Sequence, residues 1–133
     1  CFMNEKEARI VCGQEKLDPS KAIYELNAKG VKTAIITGVP TMYMGDEFLD
    51  DLSIYSLDIE ELPEDGIVDS TGAGDYFAGA FLAEVMNGGT VKDSLTVGAI
   101  AGRECLRSLG GATQVLDKNR IYAEAKNMRV NKI

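Results

Sequence analysis

Apolar positions along this chain fall into blocks whose spacing switches between a helical and a strand-like period. Residues 4–12 predict a short helix, with Asn4 as its N-cap and Glu7 three positions on. Asp18-Pro19 opens a second helix, because Asp supplies the cap and Pro fits the first helical position, where its missing N–H has no partner anyway. Ala22, Ile23 and Leu26 give that helix an apolar face, and Gly30 ends it as a left-handed cap. Val31–Thr37 follows at once, with Ala34, Ile35 and Ile36 as an unbroken apolar run, the pattern of a strand covered on both faces. Helix, glycine and buried strand in that order is the rhythm of a parallel α/β sheet.

Thr41–Met44 reads as a short strand turning at Gly45-Asp46, with Met42, Tyr43 and Met44 as its packing residues. Over residues 53–59, Tyr55, Leu57 and Ile59 alternate with Ser56 and Asp58, as in a half-buried strand. Leu62–Gly66 is a turn, and Ile67-Val68 leads in extended form to a glycine-rich loop. A helix from Gly74 to about Asn87 sets Phe77, Phe81 and Val85 on one side and stops at Gly88-Gly89. The next, from about Val91 to Leu109, uses Leu95, Ala99, Cys105, Leu106 and Leu109 as apolar positions and breaks at Gly110-Gly111. A last amphipathic helix starts near Asp117 and carries Ile121, Tyr122 and Ala125.

Composition narrows the chemistry. The chain has 133 residues, enough for one domain with a real core, and no apolar run approaches the roughly 20 residues of a bilayer span. It opens on Cys1 and not on Met, and shows no charged-then-apolar leader, so a piece of a longer protein without a signal peptide is expected. A net charge of −7 without a Lys/Arg cluster argues against nucleic-acid and membrane partners. The three cysteines form no C-x-x-C pair, which points to a reduced, cytoplasmic setting. There is no histidine, so acid–base work falls to a carboxylate, Lys, Tyr or Cys.

The loop Asp69-Ser70-Thr71-Gly72-Ala73-Gly74-Asp75 stands after an extended segment and before a helix. Gly72, Ala73 and Gly74 can turn their N–H groups outward together, and the helix adds unpaired N–H groups and a positive dipole end. The result is an anion hole for a phosphoryl group, with Asp75 beside it to take a proton from an attacking hydroxyl. A glycine turn whose Asp75 merely favours the helix dipole is the plainer account, but it explains less of the seven-residue order. No G-K-[ST] follows, so this is no Walker A loop, and it is no G-x-G-x-x-G either. Other charged pairs are weaker candidates. Asp50-Asp51 and Glu60-Glu61 read as solvated turns, and Arg103 with Arg107 as a cationic face paired with Glu104 or solvent, more than as a phosphate contact.

The same heptapeptide resembles the D-T-x-G-A-G-D signature of ribokinase-like (PfkB) carbohydrate kinases, with Ser70 where threonine is usual. The resemblance implies Asp75 as the base that deprotonates the acceptor, and Gly72, Ala73 and Gly74 as the backbone that stabilises the transferring phosphate. Asn4-Glu5-Lys6-Glu7 fits the family's N-x-x-E motif, which implies Asn4 and Glu7 near Mg²⁺ and the nucleotide phosphates, often through water; a capping box explains the same residues. Ile35-Ile36-Thr37-Gly38 resembles the family's strand end near the nucleotide, although Val39-Pro40 replaces its further glycines, which implies Thr37 and Gly38 as contacts. Gly110-Gly111-Ala112 resembles the turn that walls the adenine pocket. Asp69 and the Thr71 carbonyl match a monovalent-cation (K⁺) site.

The implied fold is α/β, a ribokinase-like three-layer sandwich on a mostly parallel, Rossmann-like sheet. Residues 1–133 would form a single-domain segment, the C-terminal, nucleotide-binding and catalytic half. The implied function is ATP-dependent, Mg²⁺-assisted phosphoryl transfer to a hydroxymethyl group of a sugar or nucleoside. The alternatives are a vitamin kinase acting on a pyridoxal- or hydroxymethylpyrimidine-type acceptor, a non-catalytic nucleotide-binding relative, or an inactive fragment. The intact G-A-G-D core and the retained Asp75 favour the first reading. A truncated sheet would expose an edge and an apolar face, so a homodimer is one expected state.

Overall fold

A computed structural model describes residues 1–38, 40–107, 109 and 116–133. Their contacts divide the chain into two compact units, Cys1–Ile59 with Val130–Ile133, and Glu60–Arg129.

The first unit holds strands β1 (Phe2–Asn4), β2 (Thr33–Thr37), β3 (Thr41–Phe48), β4 (Asp51–Asp58) and β5 (Val130–Lys132), with helices α1 (Glu5–Cys12) and α2 (Pro19–Ala28). The strands lie side by side in the order β1-β2-β3-β4-β5. The expected α/β class holds, but the sheet is mixed and not mostly parallel. Only β1 and β2 run parallel, whereas β2–β3, β3–β4 and β4–β5 are antiparallel. The reason is connectivity: a parallel neighbour needs a crossover, which α1 and α2 supply between β1 and β2, while β2, β3 and β4 follow one another through short turns.

Caps fix both helices where the residue types predict. Asp18 accepts from the Lys21 N–H at 3.0 Å with Pro19 behind it, and Gly13 and Gly30 close turns at φ 62° and 93°. Ala8, Ala22, Ile23, Leu26, Ala34, Ile36 and Ile54 then form one core cluster between helices and sheet. Fully burying a side chain such as Ile23 or Ile36 stabilises by about 1.5–3 kcal/mol. Gly45 does not turn the chain. It sits inside β3, where a Cβ would come within 2.2 Å of Ile23 Cγ2, so the glycine admits α2 to the sheet. The turn falls instead at Leu49 and Asp50, both left-handed at φ 52° and 62°.

The second unit holds a 3₁₀ turn (Glu64–Gly66) and helices α3 (Ala73–Met86), α4 (Val91–Cys105) and α5 (Lys118–Ala125). Thr90 caps α4 reciprocally with Asp93. From Ser94 to Gly102 every residue of α4 is buried, and its two polar side chains there turn back on the helix: Ser94 Oγ donates to the Thr90 carbonyl and Thr96 Oγ1 to that of Asp93. Phe77 and Phe81 of α3 are buried with ring centres 6.2 Å apart, and Val97, Ile100 and Ala101 of α4 meet Ile121 of α5. α4 stops at Cys105, short of the expected Leu109, which is 75% exposed. Leu106 and Arg107 donate three residues back, to Arg103 and Glu104, tightening the last turn so that the ladder ends. Among the described residues no helix is long and apolar enough to cross a membrane.

Candidate active site

In the second unit, the heptapeptide forms the N-terminus of α3. The Thr71 N–H donates to Asp69 Oδ1 at 2.9 Å, so the aspartate folds the loop back on itself. Gly72 is the N-cap at φ 83°, a conformation that glycine adopts without steric cost. The first i−4 bond of the helix is Tyr76 N–H to the Gly72 carbonyl at 2.9 Å. The N–H groups of Gly74 and Asp75 precede it and so have no partner within the helix. Gly74 is exposed, and a Cβ there would meet nothing within 4 Å, so an anion can come up against the backbone. Asp75 is exposed and, with Tyr76, Gly79, Ala80 and Leu116, lines an open cleft.

Behind this turn packs a seam of α4 that the apolar pattern does not single out. A Cβ at Gly98 would lie 3.0 Å from the Phe77 carbonyl, and one at Gly102 would lie 3.1 Å from the Ala73 carbonyl. Cys105, fully buried, donates its S–H to the Thr71 carbonyl at 3.6 Å. Burial pushes its thiol pKa up, and the negative charges of Asp69 and Asp75 add to the shift, so the sulfur stays protonated as a donor. The legible signal for the seam is two glycines four apart inside a helix, where glycine otherwise weakens it.

In the first unit, Asn4 ends β1 and caps α1. Its Oδ1 accepts from the Glu7 N–H at 2.9 Å, and its own N–H donates to Glu7 Oε2 at 2.8 Å. Thr37 ends β2 in register with Asn4, and Thr37 Oγ1 donates to the Met3 carbonyl at 3.3 Å. Thr37 and Gly38 line a cleft of about 330 Å³ with Glu5, Leu17, Pro19, Pro40 and Tyr43. Asn4, Thr37 and Gly38 thus meet at the carboxyl ends of the two parallel strands, where ligands of α/β sheets bind. Glu7 is tied to Asn4 through the cap.

Of the other candidates, Val39 and Gly110-Gly111-Ala112 lie outside the described residues. Asp50, Asp51, Glu60 and Glu61 are exposed, as solvated turns are. Arg103 and Arg107 pair with carboxylates, Arg103 with Glu124 and Arg107 with Glu104 at 3.5 Å. Among the described residues no group of three or more His, Cys, Asp or Glu side chains could hold a metal. Asp69 and the Thr71 carbonyl offer the hard oxygens that suit a monovalent cation.

Known proteins resemble this chain in sequence and in fold. The model of the pfkB family of carbohydrate kinases matches residues 1–119. A cytidine kinase of Thermococcus kodakarensis is 33% identical over 110 residues, covering 82% of this chain and 37% of that protein. An adenosine kinase of Schizosaccharomyces pombe is 39% identical over 59 residues, 44% of this chain and 17% of that protein. The ribokinase structure from Thermotoga maritima superposes with a TM-score of 0.70 at 24% identity over 95% of this chain and 41% of that one, which shows the ribokinase-like fold. The chain spans little more than a third of the curated relative it matches over most of its length. It belongs to the pfkB family of carbohydrate kinases.

Proposed function

We propose that this chain is the nucleotide-side, phosphoryl-transfer segment of an ATP-dependent kinase whose acceptor is a hydroxymethyl group of a sugar or nucleoside. The observation that carries the reading is the start of α3, where a left-handed Gly72, an open Gly74 and first-turn N–H groups without a partner within the helix stand beside an exposed Asp75. The γ-phosphate lies against Gly72, Ala73 and Gly74. Asp75 takes the proton of the acceptor hydroxyl as its oxygen attacks phosphorus and ADP leaves. The N–H groups stabilise charge on the transferring oxygens, so catalysis is positioning plus electrostatics.

Thr37, Gly38 and Asn4 would contact the nucleotide, and Glu7 with Asn4 would hold Mg²⁺ through water. Bound Mg²⁺ would neutralise charge on the phosphates. Asp69 and the Thr71 carbonyl would hold a monovalent cation such as K⁺. The relatives named as cytidine and adenosine kinases support a nucleoside among the acceptors. Free cysteines at positions 1, 12 and 105 suit a reduced, cytoplasmic setting.

The test follows ADP release from Mg-ATP across sugars and nucleosides, using this chain and the longest natural polypeptide that contains it. Acceptor-dependent release is expected, and Asp75→Asn is expected to lower turnover by about 10²–10⁴-fold with nucleotide binding kept. Near-normal turnover in that variant would overturn the assignment of the base.

A further inference from the structure

Glu104, at the end of α4, takes no part in the chemistry above, yet it is 5% exposed and charged. Its Oε1 lies 3.5 Å from Arg107 Nε and 4.0 Å from Arg103 Nη2, and its Oε2 lies 3.5 Å from Arg120 Nη1. Glu124 of α5 closes the group by pairing with Arg103 and, at 3.1 Å, with Arg120 Nε. Three arginines and two carboxylates therefore join the last turn of α4 to α5. Glu104 Oε1 is buried with no hydrogen bond among the described residues, so charge alone holds it.

Such a group is a poor source of stability. Desolvating ions costs several kcal/mol each, and well-packed apolar side chains in their place are often neutral or stabilising. Val97, Ile100, Ala101 and Ile121 already seal the same helix pair with apolar contacts. What ion pairs add is direction. Apolar contact is non-directional and lets a helix end slide or turn, whereas a carboxylate gripped from both helices does not.

The residues that this grip orients come next in sequence. Cys105 donates to the Thr71 carbonyl at 3.6 Å. The Leu106 carbonyl accepts from Val68 N–H at 2.8 Å and from Asp69 N–H at 3.4 Å. Glu104, Cys105 and Leu106 thus point respectively to the arginines, to Thr71 and to Val68 with Asp69.

We propose that Glu104 is a positioning residue for the phosphate loop: its ion pairs with Arg107 and Arg120 fix the last turn of α4, which in turn fixes residues 68–71. The link to function rests on the reading of Gly72–Gly74 as the anion hole. If the loop occupies its competent form for a smaller fraction of the time, apparent nucleotide affinity falls by that same fraction.

The test compares the chain with Glu104→Gln and Glu104→Met by thermal denaturation, residue-resolved amide exchange and titration with ATP. Both variants are expected to lower the melting midpoint, since the arginines lose one of their two carboxylates, while the Val68 and Asp69 amides gain about tenfold more in exchange rate than Phe81 does, as for a local opening. ATP affinity is expected to fall only as far as the competent fraction of the loop falls, so the loss stays small while the opened form is a minor population. Unchanged protection of Val68 in a folded variant overturns the proposal. So does faster exchange spread evenly over α3, α4 and α5, which marks ordinary packing. Glu104→Gln preserves shape and decides the matter if Glu104→Met does not fold. A local exchange effect without any ATP binding by the parent chain upholds Glu104 as the brace of the loop and counts against the proposed function instead.

Discussion

Asn4 and Thr37 are partners in register across the one parallel strand pair of the sheet, so the cap of α1 and the end of β2 share a single spot. Glu7 completes the cap, and a glutamine there retains a carbonyl oxygen for the Asn4 N–H. Glu7→Gln should therefore change stability by less than about 0.5 kcal/mol. Asn4→Ala should cost about 0.5–2 kcal/mol, as lost N-caps do. If the pair also serves Mg²⁺, Glu7→Gln will raise the Mg²⁺ concentration needed for half-maximal ATP binding. An unchanged Mg²⁺ titration would leave the motif as a cap alone.

Two glycines near the hole should respond in opposite ways. Gly102→Ala pushes a methyl group to 3.1 Å from the Ala73 carbonyl, and overpacking of this kind costs about 1–3 kcal/mol. Gly74→Ala meets nothing within 4 Å and lies in a helix, so the fold should hold or gain up to about 1 kcal/mol. If Gly72–Gly74 is the anion hole, the new methyl group nevertheless stands in the way of the phosphate and ATP affinity will fall. Denaturant midpoints and ATP titrations on both variants would separate damage to the fold from damage to the site.

Phe77 is 2% exposed, packs on Phe81 and lies under Gly98 and Gly102 of α4. Phe77→Ala should lower unfolding free energy by about 3–5 kcal/mol. The readout is the denaturant midpoint, and a loss near that of an exposed site would contradict the packing described.

The Lys32 ammonium, bonded to Glu47, holds that carboxyl below its ordinary value, and the Asn27 amide adds to the effect. A depressed folded pKa contributes stability that is present above the unfolded value of 4.5 and is lost as pH falls through the folded one. Lys32 is raised by the same contact, so its share is present below 10.5 and lost as pH rises through its folded value. Lys32→Met should flatten the fall in denaturant midpoint on the acid side of neutrality. A variant that falls as steeply as the parent would show the contact to be without weight.

Caps and glycines made the first helices legible, since Asn4, Asp18 and Gly30 act within a few residues of themselves. The start of α3 was legible for the same reason, its loop being folded by Asp69 on Thr71. Strand pairing was not. Phe2–Asn4 and Val130–Lys132 are too short to show a period, and they become strands only because Ile36 and Leu57 are there to pair with. Gly45 reads as a turn in sequence because its real reason, the approach of Ile23, is twenty-two positions away. The hairpin bends at Leu49 and Asp50, of which Asp50 reads as part of a solvated turn in sequence while the apolar Leu49 does not. Cys105 stood in the apolar pattern of its helix, whereas its seam partners Gly98 and Gly102 escaped an apolar count because they work by being small.

The pairing of Val130 with Leu57 also bears on the order of folding. The chain leaves its first unit after Ile59 and returns at Val130, so β5 cannot dock until the whole second unit has been spanned. Contacts this distant in sequence are slow to close, whereas β2, β3 and β4 form from near neighbours. Residues 130–133, although few and at an edge, would therefore report closure of the first unit.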